Sequence, residues 1–173
     1  GTVFAAEPSR GATFHAFDLA RAAGLRIIFD VDYRPYSWPS PKVAADVLSA
    51  AAEKSDMIVG NDEEFGFMAG SIDKGLEKAR ALSKTTAALV VYKMGHLGAI
   101  TFVDGEEIRT GIYPVAALKP TGAGDIFMAG FVTSIADGHA LKTSLLRGSA
   151  CASITVSRPG VSPAIAYLAP HDT

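Results

Sequence analysis

Residues 119 to 131 read KPTGAGDIFMAGF, which places Gly122, Ala123 and Gly124 directly before Asp125 and an apolar run. From Ile126 onward the apolar residues Ile126, Phe127, Ala129, Phe131 and Ile135 recur at spacings that suit a mostly buried helix. The start of a helix leaves backbone N–H groups unpaired and carries partial positive charge, so it is a ready site for an anion. Small residues let a ligand reach that backbone. An aspartate before a helix, with glycine in the preceding turn, is also a common cap. The cap accounts for Asp125 and one glycine, but not for two glycines flanking an alanine behind Thr121.

A carboxylate beside an anion cradle repels the anion at rest, so its chemistry must be sought in the reaction. Phosphoryl transfer supplies it: a base takes the proton of an attacking hydroxyl while N–H groups hold the charge of the transferring group. Other cradles fit less well. The chain has no Gly-Lys pair for a P-loop, and a dinucleotide fingerprint starting at Gly122 finds Phe127 in its third glycine position.

These residues need elements to carry them, and the chain alternates accordingly. TVFAA (2–6) reads as a strand, 11–23 as a helix stopped by Gly24, and RIIFDVD (26–32) as a buried strand ending in charge. After an aromatic, proline-rich loop come a helix over 42–54, a strand over 57–60 and a short helix capped by Asn61 and ended by Gly70. A helix over 74–83, a strand over 87–93 and a hairpin turning at Asp104-Gly105 follow. Apolar helices from about 123 to 136 and about 141 to 156 close the pattern. Such alternation predicts an α/β fold of three α/β/α layers around a mainly parallel sheet, in one domain over 1–173. Ligands bind such sheets beyond the carboxyl ends of the strands, where Asp30, Asp32 and Arg34, then Asn61 and Glu64, then Gly95 to Gly98 all fall.

Composition narrows the class. The 173 residues are 49% hydrophobic and 20% charged, ordinary usage for a globular domain. A net charge of −2 gives no bias towards nucleic acid or an acidic membrane. A single cysteine, Cys151, excludes an internal disulfide and agrees with a reducing, cytoplasmic compartment. The chain opens on Gly1, which raises the expectation that it starts inside a longer protein.

The segment around Asp125 resembles the second signature of the PfkB (ribokinase-like) carbohydrate kinases, in which Gly-Ala-Gly-Asp supplies the anion hole and the catalytic aspartate. The family usually reads Asp-Thr-Thr before it; Lys119-Pro120-Thr121 stand there in this chain. FDVDYRPYSW resembles the strand end of the sugar-acid branch, Asp-x-Asn-x-Arg before a Trp, with Asp32 in place of Asn and with Arg34 and Trp38 matching. A planar guanidinium there suits a substrate carboxylate; a solvated loop with a structural arginine is the equal alternative. NDEE (61–64) fits the family's Asn-x-x-Glu, which organises magnesium and phosphate, and alone it is a capping box. KMGHLG (93–98) corresponds to the Lys-x-Gly-x-x-Gly that borders the nucleotide, and alone it is a turn. Towards the end, RGSACASITVSRPG resembles a helix lying against the adenine, with Ser149 where Asn is frequent. Arg158 matches a recurrent arginine of the inositol-pathway branch, while Pro159 and Val161 replace its usual His and Cys.

The resemblance covers only the carboxyl-terminal part of the family and implies a ribokinase-like fold without the amino-terminal part and lid. It implies ATP-dependent phosphorylation of a sugar or sugar acid, 5-dehydro-2-deoxygluconate first and 2-keto-3-deoxygluconate as the near alternative, with ATP and Mg²⁺ as cofactors. Asp125 is then the base, and the N–H groups from Gly122 through Ala123 and Gly124 the anion hole. Asn61 and Glu64 act on Mg²⁺ through water. Lys93, Gly95, Gly98, Thr121 and Ser149 border the nucleotide, and Arg34 the substrate. The expected partner is a small molecule, not nucleic acid or membrane, with homo-oligomerisation left open. Two rival classes remain: a non-catalytic nucleotide-binding module, which a phosphotransfer assay separates, and a dinucleotide-dependent oxidoreductase, which a nicotinamide titration separates.

Overall fold

The computed structural model describes residues 1–160; Val161 lies outside them. The chain divides into two compact units, one of residues 1–95 and 99–109, the other of residues 96–98 and those from Thr110 onward.

The first unit is built on a sheet of five strands, β1 (Ile28–Asp30), β2 (Met57–Asn61), β3 (Leu89–Lys93), β4 (Ala99–Val103) and β5 (Glu106–Thr110), lying side by side in chain order. β1, β2 and β3 pair parallel, and β3 pairs antiparallel with β4, so the sheet is mixed. The runs MIV, LVVY and AITFV are β-branched and aromatic, which suits a pleated, covered surface. Four consecutive buried residues in each of β2, β3 and β4 show that both faces are covered. On one face Phe29, Ile58, Val90 and Phe102 stand in register. They share a core with Leu48 and Ala52 of α2 (Pro41–Glu53), Phe65 of α3 (Asp62–Met68) and Leu82 of α4 (Gly75–Thr85). Val59, Val91 and Thr101 are in register on the other face, and all are fully buried. The hairpin turns where predicted, with φ of 51° at Asp104 and 80° at Gly105, the left-handed pair that a two-residue turn requires.

Two segments depart from the sequence reading. TVFAA is no strand: Thr2–Phe4 form a 3₁₀ turn. Phe4 decides it, because its ring is buried against Phe14 and Phe17 of α1 (Ser9–Ala22) and Phe29 of β1, with centroids 5.0, 5.7 and 5.9 Å away. Such pairs stabilise by about 0.5–1.5 kcal/mol each beyond the area they bury. The strand predicted over 26–32 is ladder only from Ile28 to Asp30. Ile27 is drawn out of it by Asp56, whose carboxylate accepts the Ile27 N–H at 2.7 Å. At the other end Asp32 turns to a φ of 36°.

The second unit packs α5 (Ala123–Ala136) on α6 (Leu141–Val156), at the boundaries the periodicity predicts. Their contact is close because two glycines leave room for it. A Cβ on Gly148 of α6 would stand 2.9 Å from the Phe127 carbonyl oxygen, and one on Gly130 of α5 would stand 2.8 Å from Cys151 Sγ. The segment before α5 is tied to the same pair: Leu118 N–H donates to Val156 O at 2.8 Å, and Ser153 Oγ to Tyr113 O at 2.9 Å.

Candidate functional site

In the sheet unit the register sets the site. β2 and β3 pair flush from Met57 with Leu89 to Asn61 with Lys93, and Asp30 pairs with Val59. The carboxyl ends of all three parallel strands therefore lie together, and Asp32, Asn61 and Lys93 come to that end with them.

Asn61 ends β2 and caps α3. Its Oδ1 accepts the Glu64 N–H at 2.8 Å, and the Asn61 N–H donates to Glu64 Oε2 at 2.7 Å, a reciprocal capping box. Glu64 has a second partner that the box does not foretell. Its Oε1 accepts the Tyr33 N–H at 3.2 Å, and the Tyr33 ring stacks on Phe67 of the same helix, 3.9 Å between centroids. The loop after β1 is thus fastened to the first turn and to the side of α3. Glu64 is buried, and burial pushes its carboxyl above the usual carboxylate range; the N–H groups of Asn61 and Tyr33 and the charge of Lys93 pull it back part of the way. Gly60 leaves space for this arrangement, since a Cβ there would stand 3.0 Å from Phe65 and Val31 and 3.3 Å from Glu64 Oε2.

Arg34 follows in the same loop. Its Nη2 pairs with Asp32 Oδ1 at 2.6 Å, and its Nη1 donates to the Tyr33 carbonyl at 3.2 Å. Asp32 Oδ2 accepts from Thr2 Oγ1 at 3.0 Å. The guanidinium predicted to meet a substrate is therefore held by the carboxylate two residues before it.

In the second unit α5 begins at Ala123 behind Gly122, whose φ of 86° is the left-handed conformation that favours glycine. No side chain caps this helix. Ala123 N–H reaches back to Pro120 O at 3.2 Å, and Ile126 N–H makes the first helical bond, to Gly122 O at 3.0 Å. The N–H groups of Gly124 and Asp125 thus lie in the turn that lacks helical acceptors. Asp125 is exposed in the same turn, beside exposed Thr121. Ser149 is buried within α6. Gly95 opens a 3₁₀ turn (Gly95–Leu97) after β3, and Gly98 follows it. Gly98 has a φ of 88°, and a Cβ there would overlap the Thr110 carbonyl, so this position admits only glycine; Gly95 has open space around it.

The structure gathers Asp32, Arg34, Asn61, Glu64 and Lys93 at one end of the sheet, and Thr121 to Asp125 at one end of α5. Sequence reasoning missed the Tyr33–Glu64 bond and the retention of Arg34 by Asp32. The DYR triplet signals the ion pair; nothing local signals the bond. Both Glu64 oxygens accept backbone N–H groups, and among the described residues no three His, Cys, Asp or Glu side chains converge on a point. The donor set fits contact with a hydrated Mg²⁺ and not an all-protein cage. Among the described residues no helix is long and apolar enough to cross a membrane.

Comparison with known proteins adds to this geometry. The family described as pfkB family carbohydrate kinase matches residues 2–166. The 5-dehydro-2-deoxygluconokinase of Halalkalibacterium halodurans is 38% identical over 168 residues, which are 95% of this chain and 51% of that protein. That of Geobacillus kaustophilus is 38% identical over 173 residues, 98% of this chain and 52% of that protein. The chain thus spans about half the length of these curated relatives. Among solved structures, aminoimidazole riboside kinase from Salmonella enterica, complexed with aminoimidazole riboside and an ATP analogue, superposes with a TM-score of 0.86 at 19% identity. It is matched over 95% of this chain and 57% of that one. Fructokinase from Vibrio cholerae, with fructose, ADP and calcium bound, gives 0.84 at 23% identity over 94% and 55% of the two chains. At these identities the structural likeness establishes the ribokinase-like fold.

Proposed function

The chain belongs to the pfkB family of carbohydrate kinases, and from that premise we propose that it carries the phosphoryl-transfer residues of an ATP-dependent sugar-acid kinase acting on 5-dehydro-2-deoxygluconate. The observation that carries this reading is the start of α5: an uncapped helix entered through a left-handed Gly122, with exposed Asp125 in its first turn. The names of the relatives at 38% identity support the substrate.

Asp125 accepts the proton of the attacking hydroxyl. That oxygen forms a bond to the γ-phosphorus as the bond to the bridging oxygen breaks, and ADP leaves. The N–H groups of Gly124 and Asp125 hold the charge on the transferring group, where they are preorganised because no side chain has claimed them. A positive helix end beside the base also keeps its carboxylate from repelling the phosphate outright. Bound Mg²⁺ supplies neutralisation of the phosphate charge, and Asn61 and Glu64 are the residues that would orient its water shell. Lys93, Gly95, Gly98, Thr121 and Ser149 are assigned to the nucleotide. Gly98 allows the close approach of the Thr110 carbonyl that a side chain would block, and so holds the shape of this turn. Arg34 is assigned to the substrate carboxylate, which it can engage with two parallel N–H groups.

Asp125→Asn in the complete protein tests the central assignment. The amide keeps a polar group in the first turn but cannot take the proton, so turnover is expected to fall by about 10²- to 10⁴-fold while nucleotide binding persists. A rate near wild type would reduce Asp125 to a residue that merely starts a helix.

A further inference from the structure

We infer that Asp32 is a positioning residue, which holds Arg34 in an ion pair and competes for it with a substrate carboxylate. The inference rests on the sugar-acid reading and adds a competitor to it. Asp32 is placed for this by three observations. Its Oδ1 lies 2.6 Å from Arg34 Nη2. Its Oδ2 is steadied by Thr2 Oγ1 at 3.0 Å. Its backbone sits at a φ of 36°, a left-handed conformation that aspartate and asparagine tolerate better than other side chains and that turns the carboxylate back towards the guanidinium.

The pair is built to exchange. Side-chain exposures of 46% for Arg34 and 31% for Asp32 leave both groups reachable from water. A carboxylate can therefore displace Asp32 without any unfolding. The second guanidinium contact, Nη1 to the Tyr33 carbonyl at 3.2 Å, belongs to a loop that Glu64 and Phe67 fasten to α3, so the arginine keeps its place while its partner changes. A neutral sugar offers no charge to repay the displaced Asp32 and gains nothing from the exchange. An anionic sugar regains one ion pair but meets the repulsion of the displaced carboxylate. Asp32 thus lowers the affinity for sugar acids and leaves that for neutral sugars alone.

The test is a titration of the complete protein with 5-dehydro-2-deoxygluconate and, separately, D-fructose, with a non-hydrolysable ATP analogue present. Asp32→Asn preserves the shape and the tolerance of the left-handed backbone and removes the charge. It is expected to tighten sugar-acid binding about fivefold, the upper range for a partly exposed pair, and to leave fructose binding unchanged. In an Arg34→Ala background the same substitution is expected to bring no gain, because Asp32 acts through Arg34. A gain that survives Arg34→Ala would show that Asp32 acts by its own charge, and unchanged or weaker sugar-acid binding by Asp32→Asn with nucleotide binding intact would overturn this inference alone. Absence of both nucleotide and sugar binding in the wild type would overturn the kinase reading and this inference with it.

Discussion

Glu64 shows how one side chain serves two levels of structure. In the sequence it is the third residue of a capping box, and that assignment holds in every detail. Its other oxygen, bonded to Tyr33 N–H, ties a helix to a loop 31 residues earlier. Burial is the largest influence on its ionisation and pushes its carboxyl up. The sign of the consequence follows from linkage. A carboxyl raised in the folded state favours folding while protonated, and that contribution is lost as pH rises from the ordinary glutamate value through the raised one. Glu64→Gln cannot titrate, so its stability relative to wild type is expected to improve as pH increases across that window. At low pH, where the wild-type carboxyl is also neutral, the variant is expected to trail by no more than about 1 kcal/mol, because the hydroxyl oxygen can still accept weakly from a part-buried N–H and the amide nitrogen cannot. Urea unfolding at a series of pH values measures this; a difference that widens with rising pH would refute it.

Elements meet in this protein where side chains are missing. α5 and α6 approach through Gly130 and Gly148, and the two positions make different demands. A Cβ at 148 would press on the Phe127 carbonyl and ring, at 2.9 to 3.1 Å, and neither can yield without moving the helix. Gly148→Ala is therefore expected to cost about 1–3 kcal/mol, the usual range for overpacking. A Cβ at 130 meets mainly Cys151 Sγ at 2.8 Å, with Cys151 Cβ next at 3.2 Å. Gly130→Ala should also destabilise, and Cys151→Ala should recover a large share of that loss by removing the sulfur. Thermal melts of the two single variants and the double variant check the pair. Additive effects would mean that the two positions do not share the contact. Cys151 is then a packed residue of α6, as its place on an apolar helix face suggests.

The chain spans about half the length of its curated relatives, and this bears on activity at the scale of the whole molecule. Phosphoryl transfer depends on positioning and on the exclusion of water. The 173-residue chain by itself is expected to bind nucleotide weakly and to phosphorylate sugar poorly, with a rate at least about 10²-fold below that of a full-length relative. A coupled assay for ADP release, with and without 5-dehydro-2-deoxygluconate, measures it. Brisk sugar-dependent turnover by this chain would show that its own residues suffice.

What the sequence by itself determined is whatever depends on near neighbours. The helices over 123–136 and 141–156, the hairpin at Asp104-Gly105, the Asn61–Glu64 box and the Gly122-to-Asp125 approach are each legible because period, turn chemistry and caps act within a few residues. Tertiary structure decided the rest, because those contacts join residues far apart in the chain. Phe4 looked like part of a strand until the rings of Phe14, Phe17 and Phe29 offered it a core, and an apolar run of two to five residues carries no period to reveal that. β1 began late because Asp56, just before β2, took the Ile27 N–H. Arg34 read equally as a substrate ligand and as a structural arginine, since a list of residue types does not show that a left-handed turn at Asp32 brings a carboxylate back onto it. Backbone direction, and not composition, settles which charges meet.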